Sequence, residues 1–75
     1  MFSTPHSASP FAALGQARAL ETWREAASLV STRWHAFLDA EPETRKWAFA
    51  SYLAALDAEE AAAADVAARS TRIAA

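Results

Sequence analysis

The sequence contains no cysteine and a single glycine, and each shortage excludes a class of site. Without cysteine there is no disulfide framework, no thiolate nucleophile and no zinc site built on cysteine. One glycine leaves no glycine-rich loop for binding phosphate, and no serine lies in a Gly-x-Ser-x-Gly nucleophile motif. We therefore expect a protein that is not an enzyme and binds no cofactor.

Long apolar runs and an excess of positive charge are also absent. No stretch reaches the roughly 18 apolar residues of a transmembrane helix, and the first residues lack the cationic start and apolar core of a secretory signal. The net charge of -2 and the pI of about 5.5 lack the basic footprint of most nucleic-acid-binding proteins. They also disfavour binding to an anionic membrane surface. We expect a cytoplasmic protein that binds neither nucleic acid nor membranes.

Alanine dominates what is present. The sequence is 53% hydrophobic, but more than half of those residues are alanine, which favours helix and buries little area. A chain of 75 residues is also near the lower limit of what folds alone without disulfides, metal or oligomerisation. Two thin helices would leave apolar surface exposed, so we expect self-association or docking onto another protein.

The clearest periodicity lies in residues 20–37. The apolar residues recur there at alternating steps of three and four, the spacing of a helix that packs along one line against other helices. Ser9 and Pro10 suit a helix start, because serine accepts from free backbone amides and proline has no amide to lose. We predict helix one over about residues 10–39, after a flexible arm over residues 1–9. The residues of the apolar line are Leu20, Trp23, Ala27, Val30, Trp34 and Phe37.

Three large apolar residues of helix one, Phe11, Leu14 and Leu29, do not fit this line. Single exposed apolar side chains are ordinary on a protein surface. The alternative is a second contact surface shared by the three residues, and the sequence leaves both interpretations open.

Pro42 marks the turn between the helices. The residue before a proline avoids helical geometry, so helix one should end by about Ala40 and Pro42 can open helix two. A short loop makes neighbouring helices antiparallel. We predict a turn over about residues 40–42 and helix two over about residues 42–69, with a frayed C-terminus. The apolar face of helix two comprises Phe49, Tyr52, Leu53 and Leu56, and Trp47 points almost the opposite way.

Three residues are weak candidates for a metal site. His35 has Asp39 four residues later, a pair that can orient an imidazole. Glu59 and Glu60 flank the continuation of the apolar face, and two copies brought together would form a carboxylate cluster. The simpler interpretation is a solvated histidine and a polar rim, so we assign no metal ligand.

The sequence thus predicts an all-α, antiparallel two-helix hairpin that dimerises into a four-helix bundle. Its predicted function is protein–protein interaction, as an adaptor, regulator or accessory subunit acting through self-association and possible binding of a larger protein. The alternative is a helical bundle that binds a metal or small ligand through carboxylate or histidine side chains of two subunits. The predicted interface residues are Leu20, Trp23, Val30, Trp34, Phe37, Trp47, Phe49, Tyr52, Leu53 and Leu56.

Overall fold

The structure, a computed structural model, describes the backbone of residues 10–74 and the side chains of residues 10–71. This part of the chain forms two α-helices, α1 (Pro10–Asp39) and α2 (Arg45–Ala74), and no strand. The helices pack against each other as a hairpin, which confirms the predicted all-α hairpin. The predicted flexible arm over residues 1–9 lies outside the described residues, and the pairing of two hairpins stays a prediction.

Helix α2 begins at Arg45, three residues later than a start at Pro42. The Thr44 amide donates to the Glu41 carbonyl at 3.0 Å, a bond between residues i and i+3 that forms a tight turn before the helix. The Ala48 amide then donates to the Thr44 carbonyl at 3.0 Å, which is the spacing of an α-helix. Pro42 therefore lies in the turn instead of the first turn of α2.

The C-terminal end of α1 is closed by two hydrogen bonds. The Ala40 amide donates to the Phe37 carbonyl at 3.2 Å. The Arg45 guanidinium donates from Nη2 to the Ala40 carbonyl at 3.3 Å. A cation is favourable there because the last carbonyls of a helix lack partners and carry partial negative charge.

Helix α2 continues to Ala74, beyond the predicted end near residue 69. Part of this segment lies against α1, since Val66 and Arg69 are half-buried. The Gln16 side-chain amide donates to the Ser70 hydroxyl at 2.8 Å. These contacts add to the helix preference of the alanine-rich segment.

The most buried residues between the helices are alanines. Ala19 and Ala55, with relative exposures of 6% and 5%, are the buried apolar residues of the described chain, and no large side chain is fully buried. Small side chains let helix axes approach closely, which leaves little room for large side chains between them. The half-buried residues of the two helices are Gly15, Gln16, Leu20, Trp23, Ala26, Val30 and Phe37 of α1 and Ala48, Ser51, Tyr52, Leu56, Glu59, Ala62, Ala63, Val66 and Arg69 of α2.

Candidate interaction surface

Four aromatic rings form a cluster near the turn, two from each helix. The Trp34 ring lies 5.5 Å from that of Phe37 and 5.1 Å from that of Tyr52, measured between centroids. The Phe49 ring lies 5.3 Å from that of Phe37 and 6.2 Å from that of Tyr52. All four separations fall in the range of about 4.5–7 Å in which aromatic pairs attract. This ring cluster holds the two helices together at the turn end of the hairpin.

One side of the ring cluster is open to solvent. Trp34 and Phe49 remain 39% and 42% exposed. One helical turn beyond each of them stands a leucine, Leu38 at 56% exposure and Leu53 at 44%. Residues four apart lie on the same side of a helix, and the contacts of Tyr52 with Trp34 and Phe49 bring the two pairs to one side of the hairpin. We call the four exposed residues, Trp34, Leu38, Phe49 and Leu53, the turn-end patch.

The turn-end patch is large for a chain of this size. A large apolar side chain offers roughly 150–250 Å², so exposures of 39–56% leave about 400 Å² of apolar area on these four residues. The largest apolar patch on a typical monomer is about 300–600 Å² and is often functional. The patch is therefore a candidate contact surface for another protein.

Leu38 was not among the residues that the sequence predicted for an interface. Its spacing of four from Trp34 was visible, but the line of residues 20–37 ended one position before it. The structure leaves Leu38 the most exposed member of the patch.

The remaining predicted interface residues occupy other positions. The Trp23 indole donates to a Glu59 carboxylate oxygen at 2.7 Å, which links the two helices in a partly buried position. Leu20, Val30 and Leu56 are half-buried. Trp47 is 68% exposed, makes none of the ring contacts of the cluster, and lies on the opposite side of α2 from Phe49 by the helical repeat.

The three apolar residues of α1 that did not fit the predicted line are exposed. Phe11 is 85% exposed, Leu14 48% and Leu29 40%. Phe11 and Leu29 are 18 positions apart, about 27 Å along a helix. They therefore form no contiguous patch within one chain, unlike the residues at the turn end.

The weak metal candidates do not come together within the chain. His35 is exposed, with its Nδ1 atom 2.8 Å from the Ser31 carbonyl. Glu59 accepts from Trp23, and Glu60 is exposed. Across the described residues, no group of three histidine, aspartate or glutamate side chains could hold a metal ion. A site built from two subunits stays an untested alternative.

Neither described helix combines the length and apolar character that a membrane crossing requires. Comparison with protein-family models, with curated proteins and with solved structures finds no match to this chain.

Proposed function

We propose that this chain is a protein–protein interaction module that self-associates through the turn-end patch into a homodimeric four-helix bundle. The observation that carries the proposal is the patch itself, a contiguous apolar surface in which four large side chains are 39–56% exposed. A second copy presents the same surface, as a two-fold interface requires.

The energetics of the lone hairpin support this proposal. Among residues 10–71, only Ala19 and Ala55 between the helices are buried, and an alanine side chain contributes little apolar area. Covering about 400 Å² of patch on one copy is worth about 10 kcal/mol at roughly 25 cal/mol per Å², before the costs of association. Those costs are about 4–15 kcal/mol, so burial of the patches on both copies can exceed them.

The test is the molar mass in solution, measured by light scattering and sedimentation over a range of concentrations. The native chain is expected to have twice the monomer mass. Leu53→Glu places a charge in the patch, and an unpaired buried charge costs several kcal/mol. We expect association to weaken by about a hundredfold or more, because each 1.4 kcal/mol is a factor of ten.

Ala54→Glu is the matched control. Ala54 is exposed, adjacent to Leu53 on the same helix, and turned about 100° away from it. This variant should keep the mass of the native chain, and circular dichroism should show unchanged helicity in both variants. A native chain that is monomeric at micromolar to millimolar concentrations would refute the proposal.

The wider role as an adaptor, regulator or accessory subunit rests on Trp47. This side chain is 68% exposed and lies outside the turn-end patch, so it stays available after self-association. Tryptophan is enriched at binding hot spots, which makes Trp47 the first residue to test for contact with a larger protein. Isothermal titration of a candidate partner against the native dimer and Trp47→Ala is the direct measurement; equal affinities would exclude Trp47 from the contact.

A further inference from the structure

Side-chain size changes along the side of the hairpin that carries the turn-end patch. By the helical repeat, the same side continues toward the open end of the hairpin as Ala63 and Ala67 on α2 and Leu20 on α1. Ala63 and Leu20 are half-buried and Ala67 is exposed. On α2 this side is therefore bulky near the turn and low near the open end, and on α1 it passes from exposed Trp34 to half-buried Leu20. We call these three residues the open-end strip.

We infer that two copies stack in opposite directions, so that the turn-end patch of each lies over the open-end strip of the other. This inference rests on the proposed self-association and adds the orientation and register of the dimer. If both turns were at the same end, bulky patches would meet each other and alanines would meet alanines. The layers would then splay into a wedge, whereas opposite directions place large side chains against small ones at even spacing.

The register, meaning which residues of the two copies lie opposite each other, is set by where a single two-fold axis perpendicular to the helices crosses them. An axis level with Ala58 along α2 places Phe49 opposite Ala67 of the second copy and Leu53 opposite Ala63 of the second copy. An axis at Ala27 of α1 places Trp34 opposite Leu20 of the second copy.

These two axis positions lie within about 2 Å of each other along the hairpin. The Trp23–Glu59 hydrogen bond and the Trp34–Tyr52 ring contact fix which residues of α1 and α2 lie side by side. Between them, Ala27 stands beside the region of Ala58. One axis thus places Phe49 and Leu53 over alanines of the second copy, and exposed Trp34 over half-buried Leu20 of the second copy.

The contact area also favours full overlap. Helices of 30 residues are about 45 Å long, and two side by side are about 20 Å wide, so full overlap covers about 900 Å² of each copy. A stable interface needs about 800 Å² per partner. Overlap of the turn halves alone would supply about 450 Å², which is below that requirement.

The absence of cysteine makes a cross-linking test direct, because an introduced cysteine is unique in the chain. Ala27→Cys lies at the axis, where the two copies approach within the roughly 7 Å between Cα atoms that a disulfide spans. We expect mild oxidation to convert most of this variant into a covalent dimer. Glu43→Cys, in the turn, is the matched variant and should not cross-link.

Spin labels on Glu43→Cys give the orientation independently. In the opposed arrangement the two turns lie about 45 Å apart, from 15 residues on either side of the axis at 1.5 Å each. Turns at the same end would lie within about 20 Å, since packed helices are about 8–10 Å apart. A dimer with cross-linked or close turns would overturn the opposed stacking and leave the proposed self-association intact. A monomeric mass for the native chain would overturn both.

Discussion

The hydrogen bond between Trp23 and Glu59 offers the sharpest test of how the two helices are aligned. The indole N–H of α1 reaches the carboxylate of α2 at 2.7 Å across 36 positions of sequence. Trp23→Phe removes the donor and keeps an aromatic ring at the same site. Glu59→Ala removes the acceptor. Each single variant also loses packing, so neither alone measures the bond.

A double-mutant cycle isolates the bond energy, because packing losses of the single variants cancel in the double variant. Hydrogen bonds to charged groups contribute about 1.5–3 kcal/mol when formed. The site is only partly buried, so we expect a coupling of about 1–2 kcal/mol. The free energy of unfolding is measured by urea denaturation with circular dichroism, at one fixed chain concentration because the proposed association would make stability depend on concentration.

The control for charge is Glu59→Gln, which keeps an acceptor oxygen and loses the negative charge. Neutral hydrogen bonds contribute about 0.5–1.5 kcal/mol, so this variant should lie between the native chain and Glu59→Ala. A coupling below about 0.3 kcal/mol in the cycle would mean that the two side chains act independently. The bond would then play no part in aligning α1 with α2.

Three further variants probe the close contact, the glycine and the exposed tryptophan. Ala55→Leu forces extra atoms into a site that is 5% exposed and should destabilise the hairpin by about 1–3 kcal/mol in urea denaturation. Gly15→Ala would put Cβ 2.8 Å from Nη1 of Arg69, a flexible end that can move. Because alanine favours helix more than glycine does, the free energy of unfolding should then increase by up to about 1 kcal/mol. A decrease would show that the Arg69 guanidinium cannot move away from position 15. Trp47→Ala should change the free energy of unfolding by less than about 0.5 kcal/mol and leave the molar mass unchanged, because the side chain is 68% exposed. A larger change in the free energy of unfolding by calorimetry, or in the molar mass by light scattering, would contradict the exposed position of Trp47.

The helices were predictable because their signals are local. The steps of three and four in residues 20–37 and the proline at position 42 are enough to predict two helices and a turn. The late start of α2 was not predictable from Pro42, since it depends on the Glu41–Thr44 hydrogen bond of the turn. The sequence alone offered proline as a first helical residue and as a turn residue, and both are common.

The contact line between the helices was less predictable than the helices themselves. Ala27 belonged to the predicted line, yet it is exposed, and Ala26 is half-buried instead. Leu53 was grouped with the packed face of α2 and is 44% exposed. A spacing of 3.5 residues drifts around a helix of 3.6 residues per turn, so a long line cannot face one neighbour throughout. The distance between the helices then decides which members stay in contact.

The use of alanine between the helices leaves large apolar side chains of the hairpin exposed. Ala19 and Ala55 lie between α1 and α2, and the large side chains Trp34 and Phe49 lie at the edge of the contact, where they remain exposed. Packing of the two helices against each other buries little apolar area. More apolar area is removed from water only when a second pair of helices covers the exposed side chains. Under the proposed self-association, the free energy of unfolding per chain should rise with chain concentration, because binding then selects the folded state. The same exposed side chains that limit the packing of the lone hairpin form the surface proposed for self-association.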